Sequence, residues 1–521
     1  MKQGAKTLVL VAMIFAVAMI FIDQTIVALA IPKLQSELHL SPTGSQWIVN
    51  GYLLSLSALF ALGGRVADVV GHRRVVLLGV GAFAICSALC GATPTGSIGE
   101  TWIIVFRVLQ GTSAAFLFPA ALAIVVGAFP VHERGRALAI FFSISGGLTS
   151  VGPIAGGYLT QWTWRSIFWI NVPIAIIAII LILRTEAGGQ TDSTAHIDVR
   201  GAVLVCAGMG LAVFGLQQAS TWGWSSFGTW GCLAAGLVFL AAFVRQQLRS
   251  SEPLVPIRLY ADRGFAVDNA VLFLLSVCFV PLFFFVSLYA QSALGESASN
   301  AGLLLLVFFG GFTLGAQSGG RILDRRGARP TVVVGCAVAT VGFYLWGHKL
   351  LDLSFGKQWY YLALAGLGVG MVLGPVSTDA LNRASSTAYG AVTGVTQTVR
   401  NFGGSLGLAV LGSILVSENV SHVTNTLTEA GLPSGKANHL AHLLTGAEST
   451  GGLASTAPSP RLLHAIRLDF ANSTHVVLYG MAAAMAVAFA LAILRMPRGR
   501  VLEDMELGGG QVITADPRVS P

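Results

Sequence analysis

Residues 64–73 read Gly-Arg-Val-Ala-Asp-Val-Val-Gly-His-Arg, and residues 320–329 read Gly-Arg-Ile-Leu-Asp-Arg-Arg-Gly-Ala-Arg. The two stretches share glycine, arginine, aspartate, glycine and arginine at the same places, 256 positions apart. The same offset carries the start of an apolar segment near residue 7 onto the start of another near residue 263. The sequence therefore predicts a chain that is built from two related halves.

The composition identifies the class of protein. Of 521 residues, 54% are hydrophobic and only 10% are charged, and the mean hydropathy is +0.74. Soluble proteins carry about 25% charged residues. A helix that spans the bilayer needs about 20 apolar residues, so the apolar residues suffice for about 14 such helices. A soluble enzyme, a secreted disulfide scaffold and a disordered chain are excluded, and a membrane protein with many spans is predicted.

Fourteen long apolar segments, separated by polar residues, follow one another along the chain. They cover residues 7–31, 45–63, 75–92, 101–128, 137–160, 166–184, 200–217, 227–244, 264–290, 300–319, 331–348, 358–380, 389–416 and 474–495. None shows the roughly ten-residue alternating pattern of a membrane β-barrel. Helices are then the remaining structure that can satisfy the backbone hydrogen-bonding groups in lipid. The predicted fold class is an all-α polytopic membrane protein with 14 transmembrane helices, arranged as two six-helix halves plus an inserted helix pair.

The repeat also predicts how the chain is organised. Residues 1–185 are interpreted as the first six-helix half, residues 186–262 as the inserted pair with its linkers, and residues 263–495 as the second half. Residues 418–473 are rich in Ser, Thr, Ala and Gly, and we expect a mobile external surface loop with at most one short helix. Residues 496–521 are expected to form a disordered cytoplasmic tail.

The basic residues decide the orientation in the membrane, because cytoplasmic connections carry an excess of Lys and Arg. Of 31 such residues, 22 lie on the side of the N-terminus and 7 on the opposite side. Both termini are therefore predicted to be cytoplasmic, in the inner or plasma membrane of a cell. The first apolar segment is too long for a cleaved signal peptide and is expected to remain as the first helix.

The repeated turn is interpreted as a cytoplasmic gating loop, a latch between rigid bodies. Gly64 and Gly71 would permit close packing and a tight turn, and Asp68 can accept hydrogen bonds from a neighbouring helix N-terminus. Arg73 and Arg74 would contact the cytoplasmic surface. The alternative is that the turn only follows the distribution of basic residues. The counterparts in the second half are Gly320, Asp324, Gly327 and Arg329.

Three helices of the first half carry further motifs. The first reads Asp23-Gln-Thr-Ile-Val-Ala-Leu-Ala-Ile-Pro32, the fourth reads Arg107-Val-Leu-Gln-Gly111, and the fifth reads Gly152-Pro-Ile-Ala-Gly-Gly157. With the turn at 64–74, these motifs resemble the major facilitator superfamily, and within it the fourteen-helix drug:proton antiporter branch of the EmrB/QacA type. The resemblance covers residues 7–495. It implies the fold of that family and proton-driven export, and it says little about the substrate.

Asp23 and Arg107 are the candidate proton-coupling residues. An ionisable group within a transmembrane helix costs about 2.5–3.5 kcal/mol on insertion, so it marks a functional site by default. Asp23 can exchange a proton as access alternates, whereas the Arg107 guanidinium stays charged and would bias a nearby acid. The resemblance implies a part in proton transfer for both residues. The alternative is a purely structural pair of Asp23 with Arg107.

The antiporter motif on the fifth helix consists of Gly152, Pro153, Gly156 and Gly157. Proline bends a helix, and small residues let a neighbouring helix approach closely. The resemblance implies that this bend distinguishes exporters from importers.

Other side chains are candidates for the substrate cavity or for a second acid. The substrate-cavity candidates are Gln24, Gln110, Phe279, Phe283, Phe309 and Arg400. An apolar aromatic cavity suits hydrophobic, often cationic compounds; the alternative for the phenylalanines is helix packing or contact with lipid. Arg400 would either pair with an acid of the second half or contact an anionic substrate. Asp268 and Asp379 are the second acid candidates, and the alternative for Asp268 is an interfacial helix cap.

The predicted function is a proton-coupled secondary active exporter of hydrophobic, cationic small molecules that works by alternating access. The alternatives are a dedicated exporter of a self-made metabolite, antibiotic, siderophore or lipid, and a symporter or uniporter. The sequence lacks GxxxxGK[ST] and HExxH motifs, which argues against an ATP-driven pump and an intramembrane metalloenzyme. We expect no enzymatic activity, no cofactor, no metal, no ATP and no nucleic acid; the expected partners are the substrate, protons and the lipid bilayer.

Overall fold

The computed structural model of the chain describes residues 3–129, 137, 140–141, 144, 148, 151–185, 198–250, 253–255, 257–383, 389–447 and 460–497. Within these ranges the secondary structure is helical, without a β-strand. Thirteen helical stretches of the described residues are long and apolar enough to cross a membrane. The prediction of an all-helical protein with many membrane spans is confirmed.

The helices follow the predicted segments in order. Their bounds are α1 Gln3–Leu38, α2 Pro42–Val70, α3 His72–Gly91, α4 Gly99–Ala128, α5 Val151–Trp162, α6 Ser166–Trp169, α7 Asn171–Leu183, α8 Val199–Trp222, α9 Phe227–Arg249, α10 Arg263–Leu288, α11 Ala298–Arg326, α12 Ala328–Lys349, α13 Trp359–Asn382, α14 Tyr389–Glu429, α15 Ser434–Ala447 and α16 Pro460–Arg495. The predicted segment 137–160 is described from 151 onwards as α5, and most of its first part lies outside the described residues.

Polar residues between the apolar segments begin and end the helices. Ser41, Asp262 and Ser297 cap α2, α10 and α11, each accepting a hydrogen bond from a backbone N–H of the first turn. Gly71 and Gly327 end α2 and α11 with φ angles of 104° and 80°, a conformation that favours glycine. The chain therefore reverses direction at both copies of the repeated turn.

Helices that the repeat relates have the same neighbours in each half. In the first half α4 packs against α2 and α3, and α7 packs against α1 and α3. In the second half α13 packs against α11 and α12, and α16 packs against α10 and α12. The two halves are therefore two copies of one six-helix arrangement, with the pair α8 and α9 between them in the chain.

The halves meet along two equivalent helix pairs, α2 with α14 and α5 with α11. The mostly buried helices α1 and α10 also contact each other at the centre. The inserted α8 and α9 pack on each other, and α8 lies against both α2 and α14. We call the end of the bundle where α1 begins the near side and the end where α1 finishes the far side.

The expectation of a surface loop over 418–473 is wrong for the described residues. Helix α14 continues to Glu429, α15 covers Ser434–Ala447, and α16 already begins at Pro460. Only the single short helix α15 corresponds to the prediction. A small apolar core on the far side joins these helix ends; it contains Val420, Val423, Leu427, Ala437 and Ala441. Residues 448–459 and the predicted tail from residue 498 lie outside the described residues.

Candidate functional site

An ion pair between α1 and α4 lies at the centre of the first half. The Arg107 guanidinium Nη1 is 2.5 Å from Asp23 Oδ2, and the two side chains are 1% and 0% exposed. Burial makes this contact strong, and removal of either partner would leave an uncompensated charge. The structure therefore brings together Asp23 and Arg107, the two candidate proton-coupling residues that the sequence places within apolar segments of the first half.

Two amide side chains complete the surroundings of the Asp23 carboxylate. Gln110 donates from Nε2 to Asp23 Oδ1 over 3.0 Å, and Asn171 of α7 donates from Nδ2 to the same oxygen over 3.4 Å. Arg107 also donates from Nη1 to Gln110 Oε1 over 2.8 Å. Asp23 thus accepts hydrogen bonds from α4 and α7, and all of these donors would lose a charged acceptor if the carboxylate took up a proton.

Arg107 is held in place by groups outside the ion pair. Its Nε donates to the backbone oxygen of Ile48 in α2 over 2.8 Å. The ring of Tyr52, also in α2, lies 4.3 Å from the guanidinium carbon, which is a cation–π contact. The guanidinium therefore connects α1, α2 and α4, so that a change in its pairing affects three helices.

The sequence analysis missed the roles of Tyr52, Ser87 and Asn171. Asn171 donates from Nδ2 to Ser87 Oγ over 2.9 Å, and Ser87 donates to the backbone oxygen of Phe168 over 2.8 Å. All three side chains are fully buried. The signal in the sequence that could have indicated these roles is a polar residue within an apolar helix. Gln110, predicted as a cavity candidate, belongs to this buried network, and Gln24 is half-buried on α1.

The antiporter motif packs α5 closely against two helices. A Cβ atom on Gly152 would collide with Thr25 of α1, and one on Gly156 would collide with Ile26, next to the ion pair. A Cβ atom on Gly157 would lie 2.9 Å from the Ser299 backbone in α11, in the other half. The small residues thus let α5 contact both α1 and the second half. The Pro153 side chain lies outside the described part of the chain.

In the repeated turn, the close approach of the helices depends on the glycines one position earlier than predicted. A Cβ on Gly63 would collide with the Ala115 backbone of α4, and one on Gly319 would lie 2.9 Å from Met371 O of α13. Gly64 has only Pro119 Cβ within 4 Å, at 3.6 Å, and Gly320 has open space. A side chain at position 64 would make only ordinary contact with α4, and one at position 320 would meet open space, so the close packing expected of Gly64 depends on Gly63 instead.

The matching arginines of the two turns perform the same structural role. Arg73 donates from Nη2 to the backbone oxygens of Ile182 and Leu183, over 3.3 and 3.2 Å, at the end of α7. Arg329 donates from Nη2 to the backbone oxygen of Ile493 over 2.6 Å, near the end of α16. A cation at a helix C-terminus satisfies free carbonyls and interacts favourably with the helix dipole.

The remaining residues of the turns make fewer contacts. Asp68 Oδ1 lies 3.1 Å from His72 Nε2, in the first turn of α3, and Arg74 is exposed. Asp68 therefore contacts the N-terminus of the neighbouring helix α3 through the His72 side chain. The Asp324 side chain lies outside the described residues. Their role in gating remains a prediction.

The phenylalanines of α10 and α11 form one packed cluster. Phe279 lies 5.1 Å from Phe283 and 5.7 Å from Phe312, and Phe283 stacks on Phe309 at 5.5 Å between ring centroids. Phe279, Phe283 and Phe309 are at most 5% exposed. In this conformation their rings contact one another, as the packing alternative for these residues anticipated.

A second group of charges lies near the near-side ends of α10 and α13. Arg383 contacts both second acid candidates, with Nε 3.2 Å from Asp268 Oδ2 and Nη2 2.8 Å from Asp379 Oδ2. Asp268 is therefore not a helix cap. The cap of α10 is Asp262, whose Oδ1 accepts from the Phe265 N–H over 2.7 Å. Across the described chain, no group of three or more histidine, cysteine or acidic side chains is arranged to hold a metal ion.

Arg400 lies in α14, on the helix face that packs on α10. One turn later, Gly403 and Gly404 are in contact with Phe273 and Val280 of α10, and residues three and four apart share a face. Within the part of the chain that the structure describes, no carboxylate lies within ion-pair distance of its guanidinium, and Nε is buried without a hydrogen-bond partner. Arg400 is thus an intramembrane cation without a counter-ion among the described residues.

Comparison with known proteins gives the family. Residues 13–408 match the Major Facilitator Superfamily. The tetracenomycin C resistance and export protein of Streptomyces glaucescens is 34% identical over 83% of this chain and 80% of its own length. The multidrug transporter protein MdtP of Bacillus subtilis is 29% identical over 91% of this chain and 88% of its own. The fold is similar to that of a bacterial homologue of the human lysosomal transporter Spinster in an inward-facing, unoccupied conformation, with a TM-score of 0.63, 19% identity, and coverage of 95% of this chain and 98% of that one. The chain therefore belongs to the major facilitator superfamily, a family of membrane transporters, which confirms the resemblance carried by its motifs and the prediction that it is not an enzyme.

Proposed function

We propose that the chain is a proton-coupled exporter of hydrophobic small molecules and that Asp23 is its coupling acid. The observation that carries the proposal is the buried pair of Asp23 with Arg107, joined by two amides from α4 and α7. A buried ion pair is costly compared with apolar packing, so a role beyond stability accounts for it. Similarity to export and multidrug transport proteins supports the direction of transport.

In the proposed mechanism a proton on Asp23 weakens its contact with Arg107 and frees α1 from α4 and α7. Helix α1 also packs against Gly152 and Gly156 of α5, and Gly157 of α5 contacts the other half. A shift of α1 is thereby transmitted to the α5–α11 interface, where the halves must move for access to alternate. One proton supplies about 1.4 kcal/mol per pH unit and about 2.3 kcal/mol per 100 mV.

The same proposal includes the orientation. The near side faces the cytoplasm of a cell whose inner or plasma membrane holds the protein, and this orientation rests on the sequence, which assigns 22 basic residues to cytoplasmic and 7 to external segments. Protons enter from the far side, and no cofactor or ATP is required. Hydrophobic cations are the proposed substrates, and their binding to Phe279, Phe283 and Phe309 requires these rings, which contact one another in this conformation, to separate during the transport cycle.

Efflux of ethidium from cells or membrane vesicles that contain the protein tests the coupling. The wild type should export the dye, and an uncoupler should abolish export. Asp23→Asn should reduce export to background, because the side chain keeps its shape but no longer exchanges a proton. Asp352→Asn is the control, since Asp352 is a partly exposed acid whose ion pair, with Lys349, lies far from Asp23 in the chain. Export by Asp23→Asn at the wild-type rate would contradict the assignment, and export that survives the uncoupler would indicate a uniporter.

A second candidate function is the export of a self-made metabolite with an acidic group. Arg400 favours it, because an intramembrane guanidinium without a carboxylate among the described residues fits an anionic ligand. One relative is named as a resistance and export protein for a single compound, tetracenomycin C.

The two substrate classes can be separated with Arg400→Gln. If the substrate is acidic, the variant should lose uptake of a fluorescent aromatic carboxylate into inverted vesicles by about tenfold, because a hydrogen bond between charged groups contributes about 1.5 kcal/mol, while ethidium transport is unchanged. Arg258→Gln, an exposed arginine of the turn before α10, is the control. Equal loss of both substrates would show that Arg400 serves the transport cycle and not the recognition of an anion.

A further inference from the structure

The charges at the near-side ends of α10 and α13 do not balance. Among the described residues, Arg383 is the one base in contact with two buried acids, Asp268 and Asp379, whose side chains are 0% and 6% exposed. Asp262 lies farther away, 3.9 Å from Arg383 Nη1, and its side chain is 35% exposed, so water stabilises its charge. One guanidinium can neutralise one of the two buried carboxylates, and an unpaired buried charge is unfavourable.

The hydrogen bonds of Arg383 distinguish the two acids. Asp379 Oδ2 accepts from both Nε and Nη2, over 3.0 and 2.8 Å. Asp268 Oδ2 shares the same Nε over 3.2 Å, and Asp268 Oδ1 is buried with no hydrogen-bond partner. The strong charge-assisted contact thus belongs to Asp379, and the free oxygen of Asp268 is the place where a proton can be held.

The geometry points to a second proton-binding site. Asp268 and Asp379 together bind one proton, and the proton is on the Asp268 carboxylate. This inference rests on the proposed function in one respect: it makes the site part of the coupling between proton entry and export. The site would lie in the second half of the chain, whereas Asp23 lies in the first. Each half would then contain one acid that exchanges a proton.

In the described part of the chain, the ion pairs at this cluster are those of Arg383 with Asp268, Asp379 and Asp262. In the turn before α10, burial raises the pKa of Tyr260 to about 12, so this side chain is neutral. The described residues of α14 that pack nearby, Val392 and Val395, are apolar. Gly264 lies against the Arg383 guanidinium, and a Cβ there would collide with it. The base and the two acids are therefore fixed at contact distance.

Proton exchange at this site would change a contact between helices. Asp379 and Arg383 lie on the same helix, four residues apart, whereas Asp268 is on α10. When Asp268 is protonated, Arg383 pairs fully with its own helix neighbour. When Asp268 is ionised, its carboxylate attracts Arg383 and ties α10 to α13. Loss and gain of one proton would thus strengthen and weaken the α10–α13 contact.

Infrared spectroscopy of the purified full chain in lipid nanodiscs tests the site without any transport. In the wild type near neutral pH, we expect the carbonyl stretch of a protonated carboxylic acid, lost as the pH is raised. Asp268→Asn should remove this band. Asp379→Asn should remove it as well, because Arg383 then neutralises Asp268 alone. Asp262→Asn should leave it unchanged, since asparagine also caps a helix.

The outcomes separate this site from the proposed function. Absence of the band in the wild type, or its survival in folded Asp268→Asn or folded Asp379→Asn, would overturn the inference. If Asp268→Asn does not fold, Asp379→Asn decides alone. Asp23→Asn should keep the band, because Asp23 is not in contact with the cluster. A failure of ethidium export with an intact band would therefore count against the proposed function and not against the proton site.

Discussion

At the scale of single residues, the sequence indicates the ion pair but not all of its surroundings. Asp23 and Arg107 stand 84 positions apart, and each is the one ionisable group within its apolar segment, so their pairing could be anticipated. Gln110 follows Arg107 by three residues and so shares its helix face. Asn171 lies 148 positions from Asp23, and nothing in the sequence states which face of α7 meets α1.

The pair should also be visible in stability. Arg107→Gln leaves the buried Asp23 carboxylate without its counter-ion, and we expect a loss of about 3–5 kcal/mol in the free energy of unfolding. The double variant Asp23→Asn with Arg107→Gln removes both charges and should recover most of this loss, although transport stays absent. Thermal unfolding of the purified protein in detergent measures the stability of each variant.

Arg74→Gln serves as the matched control for that experiment. Arg74 is exposed, and surface substitutions of this kind change stability by about 0.5 kcal/mol or less. If Arg107→Gln were as stable as this control, the carboxylate of Asp23 would have to be compensated by another group, and the ion pair could not be the centre of the site.

At the scale of helices and turns, the repeat predicts equivalent positions but not their surroundings. Gly71 and Gly327 adopt the positive φ angles that a tight turn requires, as the motif indicates. The close contacts, however, belong to Gly63 and Gly319. A shift of one residue turns a helix face by about 100°, and the sequence does not tell which face meets the neighbouring helix.

The lengths of α14 and α16 show a different limit of the sequence. Hydropathy locates only the part of a helix that lies in lipid. Beyond that part, a sequence rich in Ser, Thr and Gly has the composition of a loop even where it is helical. Val420, Val423 and Leu427 nevertheless recur at helical spacing, and they form a small apolar core with α15 on the far side. Amphipathic periodicity, rather than mean hydropathy, is the signal from which these helix ends could have been predicted.

At the scale of the whole molecule, the fold class follows from composition and repeat, but the position of the inserted pair does not. Helices α8 and α9 have no counterpart in the repeat, so symmetry cannot place them. In the structure, Asn50 of α2 donates from Nδ2 to Gln217 Oε1 of α8 over 3.0 Å, and Ser405 of α14 donates to Asn50 Oδ1 over 2.9 Å. We call these three buried residues the Asn50 junction. It joins the first half, the second half and the inserted pair.

The Asn50 junction should stabilise the conformation described here. Asn50→Ala leaves the buried Ser405 hydroxyl and the Gln217 carbonyl oxygen without this partner, at a cost of about 1–3 kcal/mol. Since about 1.4 kcal/mol changes a conformational equilibrium tenfold, other arrangements of the halves should become more populated. Spin labels at the exposed Trp162 and Asn300, on either side of the α5–α11 interface, would report this as a second, longer distance. Ser318→Ala is the control, because this hydroxyl donates to the Leu314 and Gly315 carbonyls of its own helix. An unchanged distance distribution in Asn50→Ala would show that α8 follows the halves passively and does not hold them together.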